Sequence, residues 1–329
     1  MKIDLRYRTE FLGYQQAIAT SFFVASVFAA SATTGSATAV SATAAPAAAR
    51  TSAPPASTNL ATKLPRALAV PGGIAIVKVA DAQTQLIPPT VSSDGKRVWT
   101  VNQNGAWFAV VGLPLSIKPG EHTIDINHDG PTKPQKISFV VKDKKYAVQR
   151  LTISNKAMVD PPPEVQDRIE KESKHLAKVR ATFSASTATQ GAFSLPADGR
   201  LSSKFGLGRV LNGQVRSPHA GLDLAIGVGT PVVAAADGVL LDADDYYYCG
   251  KTAFIDHGNG LISMHCHLNE FVAKVGDVVK RGDVIGKSGV TGRITGPHLH
   301  WSIYLNAVSV DPELFLNQAV TEKKPAKLP

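Results

Sequence analysis

The side chains best suited to chemistry are histidines, and six of the nine lie between residues 219 and 300. Five of these six fall within three short motifs, in which histidines, or a histidine and an aspartate, stand two or four residues apart. Imidazole and carboxylate groups gathered in this way can bind a metal ion or transfer protons. The motifs are PHAGLD (218–223) with His219 and Asp223, SMHCHL (263–268) with His265 and His267, and GPHLHW (296–301) with His298 and His300.

The even spacings place the members of each motif on one side of an extended chain, because successive side chains of a β-strand alternate between its faces. His298 and His300 are therefore expected to point the same way, and so are His265 and His267. Nitrogen and carboxylate ligands suit zinc, and three protein ligands leave a position open for water. The remaining imidazoles can supply acid–base groups. A single histidine is more often an ordinary core or surface residue, but three such motifs together favour a metal site.

The elements that must position these motifs lie in residues 195–318, where short β-rich runs alternate with many glycines. The sequence DHGNGL contains the Asn-Gly pair typical of a β-hairpin. No long helical period is present, and a parallel sheet would need crossover helices. The pattern therefore predicts an antiparallel β domain that carries the metal site.

A second β-rich pattern covers residues 65–156, where short runs are separated by turn sequences such as SSDG and KPG. This spacing predicts an immunoglobulin-like β-sandwich. Apolar residues recur at helical intervals further on, which predicts an amphipathic linker helix over 160–183. A second linker is expected over 184–194, so the fold class is mainly β.

The N-terminus has the features of an export signal, since Lys2, Arg6 and Arg8 precede an apolar run that ends in ASA. We expect a signal peptide over 1–32, a disordered Ala/Ser/Thr/Pro-rich tether over 33–64 and a basic tail over 319–329. The apolar run is too short for a comfortable membrane helix, so no stable membrane span is expected. A Gram-negative periplasm is the expected location, and secretion or an uncleaved N-terminal anchor are the alternatives.

Composition narrows the partners of this chain of 329 residues, whose formal net charge is +9. That charge suits an anionic polymer or surface, and with no nucleic-acid-binding motif present, no nucleic acid is expected. Two cysteines, Cys249 and Cys266, make neither a disulfide scaffold nor a cysteine-ligated zinc site. Strand pairing around the Asn-Gly turn separates them by roughly 13 Å, which predicts that they are not bridged.

The motifs HAGLD, CHL and GPHLHW resemble the zinc signatures of the lysostaphin-type (LytM-like) metallopeptidases, which cut peptide bridges in bacterial cell walls. The sequences SSKFG, GTPVVAAADGVL, KVGDVVKRGDVIGKSGVTG and VDPELFL match that family too, so the resemblance covers about 195–318. Residues 68–154 are similar, less specifically, to a β-sandwich module found ahead of some of these enzymes. The resemblance implies a zinc-dependent endopeptidase that hydrolyses the peptide cross-links of peptidoglycan.

Carried over residue by residue, the resemblance implies that His219, Asp223 and His300 bind one zinc ion per chain. It makes His267 and His298 the catalytic pair, with zinc-bound water as the nucleophile, and leaves the division of roles between them open. A non-catalytic envelope regulator or a wall-binding protein on the same scaffold is the alternative. Because the chain keeps all three ligands and both catalytic histidines, the enzyme is favoured over these alternatives. The sequence does not indicate which bond is cut, the oligomeric state or any protein partners.

Position 265 departs from the family, which commonly has tyrosine there. Because His265 shares a strand face with His267 when the strand is regular, we expect it in a second shell at the edge of the zinc pocket, not as a ligand. It either replaces the tyrosine ring in packing or joins the proton network. A second ionisable ring beside His267 would couple the two titrations. The acid limb of the pH–rate profile should then change in His265→Tyr.

Overall fold

The N-terminal β region forms two sheets that face each other across a shared core. The computed structural model describes residues 64–127, 134–186, 189 and 191–316, which all fall within one compact unit. Its first seven strands are β1 (Ile74–Asp81), β2 (Thr90–Ser93), β3 (Lys96–Arg97), β4 (Trp99–Gln103), β5 (Ala106–Gly112), β6 (Gly120–Asn127) and β7 (Gln135–Val141). One sheet has the order β1-β5-β4 and the other β3-β2-β6-β7. Small and branched side chains from both sheets, including Ala75, Val91, Ala109 and Ile124, form the shared core, which confirms the predicted sandwich.

The β1-β5-β4 sheet is buried on both of its faces. Its outer face contributes Ile74, Trp99 and Val110 to a larger apolar core that contains the C-terminal strands. At one edge of this contact, the Gly112 amide donates to Asn306 Oδ1 at 2.6 Å, and Asn306 Nδ2 donates to the Gly112 carbonyl at 3.2 Å. The sandwich is therefore packed against the C-terminal region through apolar surface and a buried amide pair.

The segment between the β regions contains a short strand, two 3₁₀ turns and a helix: β8 (Val148–Leu151), Lys156–Met158, Pro163–Val165 and α1 (Gln166–Arg180). The helix is shorter than the predicted 160–183, because the prolines at 161–163 lack backbone donors and the first residues form a 3₁₀ turn. His175 bonds to Asp242, and Glu172 Oε2 accepts from the Tyr247 amide at 2.8 Å, so the helix is fixed to the C-terminal region. Among the described residues, no helix is long and apolar enough to cross a membrane.

The C-terminal region is built around one large sheet with the strand order β17-β14-β15-β16-β19-β12-β9. Its elements are β9 (Arg200–Ser203), β10 (Gly208–Leu211), β11 (Gln214–Arg216), β12 (Leu222–Ala225), β13 (Pro231–Val233), β14 (Gly238–Tyr246), β15 (Gly250–Asp256), β16 (Leu261–Phe271), β17 (Val278–Val279), β18 (Val284–Ser288), β19 (Leu299–Leu305), β20 (Val308–Val310) and a final 3₁₀ turn, Pro312–Phe315. Neighbouring strands of this sheet are antiparallel, which confirms the predicted mainly β fold.

Strand β8 corrects the predicted extent of the sandwich, 65–156. It pairs in parallel with β10, so that Gln149 lies opposite Arg209, and it takes no part in either sandwich sheet. Alternating side chains identify a strand but do not identify its partner, which is why the sequence placed β8 with the preceding strands. The predicted signal peptide, tether and basic tail lie outside the described residues, apart from Leu64 at the end of the tether.

Candidate metal centre

His219, Asp223 and His300 bring three ligand atoms together at the end of the large sheet. Asp223 on β12 lies directly opposite His300 on β19, and His219 belongs to the turn that precedes β12. His219 Nε2 lies 2.9 Å from both Asp223 Oδ1 and His300 Nδ1, and the last two atoms are 2.8 Å apart. The structure thus brings the three predicted ligands to one point.

Gly221 makes this close approach geometrically feasible. A Cβ atom at this position would lie 2.8 Å from His300 Cε1 and 2.4 Å from the Trp301 carbonyl oxygen, both too short for a real contact. Any side chain there would displace the His300 ring or the backbone of β19. The glycine of the PHAGLD motif therefore sets the distance between its own segment and the GPHLHW motif.

Hydrogen bonds on the outer nitrogens decide which nitrogens face the centre. His219 Nδ1 lies 2.8 Å from the Lys204 carbonyl oxygen, to which it must donate, so Nε2 carries a lone pair. His300 Nε2 lies 2.8 Å from Ser302 Oγ, and donation there leaves a lone pair on Nδ1. Once any proton that these three atoms share is released, two lone pairs and a carboxylate oxygen face one another. This donor set fits a small divalent cation, whose tetrahedral ligands at bond lengths of about 2.0–2.1 Å lie roughly 3.3 Å apart.

The electrostatics keep these ligands in the protonation states that a metal requires. Burial acts to raise the pKa of Asp223, but hydrogen bonds and charge interactions with His219 and His300 outweigh it and hold that pKa well below its usual range. For His300, burial acts in the direction that favours the neutral ring and lowers the pKa to about 4. Metal ligands must be deprotonated, so the centre is ready to accept a cation over the neutral range of pH.

A β-bulge in β16 brings His267 to the same centre. Ala253 pairs with His265 and Lys251 pairs with Leu268, so that two residues, Cys266 and His267, lie opposite the single residue between Lys251 and Ala253. His267 has a φ of 63°, a left-handed conformation that is uncommon for a residue with a side chain. The extra residue reverses the alternation of faces, and His267 lines the same cavity as His298 and His300.

The same bulge overturns the predicted placement of His265. Its side chain is fully buried, neither ring nitrogen makes a hydrogen bond, and it does not line the cavity. Burial, with a contribution from His257, lowers the pKa of His265 to about 3. The expectation that His265 and His267 share one face at the edge of the zinc pocket is therefore wrong, because it assumed a regular strand.

His267 and His298 are held in parallel ways. Nδ1 of His267 donates to the Thr291 carbonyl oxygen and Nδ1 of His298 donates to that of Gly296, each at 2.8 Å. In a neutral ring this leaves Nε2 as the acceptor, and the His298 Nε2 lies 3.8 Å from Asp223 Oδ1. The two ring centroids are 4.8 Å apart. Burial, reinforced by the nearby His298, lowers the pKa of His267 to about 3, so His267 is neutral at ordinary pH.

Thr291 is a residue of the site that sequence reasoning missed. Its hydroxyl accepts from the Lys251 amide at 2.9 Å and donates to the Leu268 carbonyl at 2.8 Å, which fixes the carbonyl that orients His267. The loop approaches closely because Gly292 packs on Gly250. A Cβ atom added at Gly292 would lie 2.4 Å from the backbone nitrogen of Gly250. No local sequence signal identifies Thr291, whereas Ser302, at an even spacing from His300, could have been found.

The two cysteines are free, as predicted, but the predicted separation is wrong. The His267 amide donates to the Cys249 carbonyl at 2.9 Å, which places Cys249 beside Cys266 and His267. Cys249 lies in the turn before β15, which begins at Gly250 with a φ of 60°, so the straight strand used to estimate about 13 Å does not include it.

A small cavity of about 150 Å³ opens beside the three converging ligands. It is lined by β8, by β10, by the strand ends that carry Ser203 and Asp223, and by the loop before β19. Two arginines, Arg209 and Arg293, line the same space. The cavity therefore presents polar and positively charged side chains beside the three converging ligands.

Comparison with family models gives two matches along the chain. The model for peptidase family M23 matches residues 217–312, and the model for the peptidase family M23 N-terminal domain matches residues 68–144. A crystal structure of a peptidase M23 from Pseudomonas aeruginosa is 38% identical, with a TM-score of 0.63, and the match covers 75% of this chain and 95% of that one.

Two curated relatives match the C-terminal region. The peptidoglycan DD-endopeptidase ShyA of Vibrio cholerae is 40% identical over 113 residues, which is 34% of this chain and 26% of the relative. The DD-carboxypeptidase/endopeptidase Mpg of Neisseria meningitidis is 43% identical over 94 residues, which is 29% of this chain and 22% of the relative. These matches therefore cover only a minor part of each relative's length.

Proposed function

The chain belongs to peptidase family M23, and from that premise we propose that it is a zinc-dependent endopeptidase that cuts the D,D-peptide cross-links of bacterial peptidoglycan. The names of the relatives ShyA and Mpg support the substrate class. The observation that carries the proposal is the convergence of two lone-pair nitrogens and a carboxylate oxygen, with two further imidazoles beside them.

In this proposal His219 Nε2, Asp223 Oδ1 and His300 Nδ1 would hold one zinc ion. A zinc ion bound there would lower the pKa of a water ligand far below its bulk value, to about 7, and would polarise the scissile carbonyl. The Lys204 carbonyl and Ser302 Oγ keep both imidazoles in the ligating tautomer. Because the ligands come from a turn and two adjacent strands, the centre is rigid before substrate arrives.

We assign proton acceptance from the attacking water to His298. Its Nδ1 bonds to the Gly296 carbonyl, so Nε2 of the neutral ring can accept a proton, and that nitrogen lies 3.8 Å from Asp223 Oδ1. The His267 ring is buried and neutral. We assign its Nε2 the role of accepting a hydrogen bond that orients water or the peptide. Each ring depends on a backbone carbonyl for its orientation, so both are positioned without a carboxylate partner.

We also propose that the protein is exported to the periplasm. The basic residues Lys2, Arg6 and Arg8 followed by an apolar run and ASA support this location. Fractionation of cells that express the full chain, followed by N-terminal sequencing, tests it. A mature protein that begins near residue 33 and leaves with the periplasmic fraction is expected, and an intact cytoplasmic chain would refute it.

The activity is tested with purified peptidoglycan of defined cross-link chemistry. The zinc-loaded protein should release monomeric stem peptides from cross-linked dimers, as identified by mass spectrometry. A chelator should abolish the release and added zinc should restore it. Bound zinc without any hydrolysis would instead favour a wall-binding protein or a regulator.

A further inference from the structure

Two arginines beside the candidate metal centre are not used by the chemistry described so far. Arg209 and Arg293 line the cavity of about 150 Å³ together with His267, His298 and the ligands. Among the residues that line this cavity, Asp223 is the only carboxylate. A divalent cation bound by Asp223 would leave the cavity with a clear excess of positive charge, which favours an anionic ligand.

Arg209, on β10, has hydrogen-bond donors that its contacts within the protein do not use. Its Nη2 donates to Asp223 Oδ2 at 3.2 Å, while its Nε is buried and makes no hydrogen bond. Guanidinium has five N–H donors in a planar fork, so one contact leaves most of its capacity unused.

Arg293 reaches the cavity from the loop before β19. Its guanidinium carbon lies 4.6 Å from the ring centroid of Tyr248, and its Nη1 makes one long contact of 3.4 Å with the Met158 carbonyl. Burial and the charge of Arg209 both lower the pKa of Arg293, so the two cations interact across the cavity. A carboxylate between them would satisfy donors on both and relieve their repulsion.

We propose that Arg209 and Arg293 form a carboxylate-binding site that selects peptides in which the residue on the amine side of the scissile bond carries a free carboxylate. This inference rests on the proposed function and specifies its substrate. In a direct cross-link between D-alanine and meso-diaminopimelate, the carbon bonded to the scissile nitrogen bears such a carboxylate. A terminal D-alanine carries one at the same place, whereas an internal glycine bridge has none.

The test compares two synthetic cross-linked dimers that differ only in this carboxylate, free in one and amidated in the other. The zinc-loaded wild type should cleave the free acid with a kcat/KM about 10- to 100-fold higher, as expected for a hydrogen-bonded charge pair. Arg293→Gln should reduce that preference towards unity while its zinc content stays the same. Arg293→Lys, which keeps the charge but not the fork, should fall between them.

Arg150→Gln is the matched control, because Arg150 is exposed on β8 and does not line the cavity. It should keep the full preference for the free acid. Equal rates for acid and amide in the wild type, or an undiminished preference in Arg293→Gln, would overturn the carboxylate site. If Arg293→Gln does not fold, the ratio of the wild type's kcat/KM for the free acid to that for the amide still tests the carboxylate site.

A binding measurement separates this inference from the proposed function. The probe is the tripeptide that ends in meso-diaminopimelate, with the same carboxylate free or amidated, titrated calorimetrically into the wild type and Arg293→Gln. The wild type should bind the free acid more tightly by a similar factor, and the variant should not distinguish the two. A selective wild type that hydrolyses nothing would refute the activity alone, and an active but unselective one would refute the arginine site alone.

Discussion

Two histidine pairs with the same spacing have different fates in this fold. His298 and His300 both line the cavity beside the metal centre, whereas of His265 and His267 only the second does. The difference is the bulge in β16, where the left-handed backbone at His267 reverses the alternation. Such a conformation costs roughly 1–2 kcal/mol for a residue with a side chain, and it is stabilised here by bonds from His267 to Cys249 and Thr291. Even spacing therefore predicts a shared face only where the backbone stays regular.

The pair at the start of β19 should divide into a ligand and a non-ligand. His300→Ala removes one of the three converging donors, so we expect it to lose zinc and all measurable hydrolysis. Metal analysis by mass spectrometry after dialysis measures the first effect, and release of stem peptides measures the second. Undiminished zinc in His300→Ala would remove it from the ligand set.

The two non-ligand histidines should behave alike despite their different strands. His298→Ala and His267→Ala should each keep one zinc ion per chain and lose about 10²–10³ in kcat, the usual effect of removing one transition-state partner. Steady-state kinetics on a cross-linked dimer, with zinc content measured on the same samples, provides the comparison. Loss of metal in either variant would exchange its role with that of a ligand.

The support behind His300 should have a smaller effect that is confined to metal affinity. Ser302→Ala removes the hydroxyl 2.8 Å from His300 Nε2, so the ring loses the partner that fixes its tautomer. Zinc affinity, measured by competition with a chromogenic chelator, should fall about 10- to 100-fold. Ser202→Ala is the control, since Ser202 Oγ donates to the Asp223 carbonyl and contacts no imidazole nitrogen described here. Unchanged affinity in Ser302→Ala would show that the hydroxyl plays no part.

The smallest effect is expected at His265, where a change should alter stability and leave catalysis unchanged. His265→Leu removes two buried ring nitrogens without hydrogen bonds and should raise the free energy of unfolding by about 1 kcal/mol. His257→Leu is the matched control, because both His257 nitrogens are bonded, to the Asp237 carbonyl and Ser263 Oγ, and it should destabilise. Urea unfolding measures the free energy of unfolding of both variants.

Since His265 lies outside the cavity, wild type and His265→Tyr should have superimposable pH–rate profiles. Profiles whose acid limbs differ would place His265 in the catalytic site again.

The same position should contribute to the pH dependence of stability. The folded-state pKa of His265 is about 3 against an ordinary 6.5, so the unfolded chain takes up a proton first as pH falls. Above about pH 6.5 His265 is neutral in both the folded and the unfolded state, so it does not lower the free energy of unfolding. As pH falls from 6.5 towards 3, protonation of the unfolded chain lowers that free energy progressively. The free energy of unfolding of His265→Leu should therefore decline less steeply over that window than that of the wild type. Parallel curves would mean that His265 is already protonated or solvated in the folded protein.

The sequence sufficed for what depends on local pattern. Turn signals and alternation predicted the sandwich and the antiparallel sheet. Even spacing predicted a metal site among the three motifs, and the family resemblance implied that His219, Asp223 and His300 are its ligands. Partner choice and irregular backbone lie beyond such patterns. The pairing of β8 with β10 depends on tertiary packing, and the bulge at His267 depends on contacts with a turn and a loop distant in sequence.

The central claim is that His219, Asp223 and His300 hold the metal while His267 and His298 stand beside it. Anomalous diffraction at the zinc edge, from crystals of the zinc-loaded protein, tests this most directly. We predict one peak at about 2.0–2.2 Å from His219 Nε2, Asp223 Oδ1 and His300 Nδ1, with His267 and His298 farther away. A peak bonded to His267 or His298, or one located away from Asp223, would contradict the account.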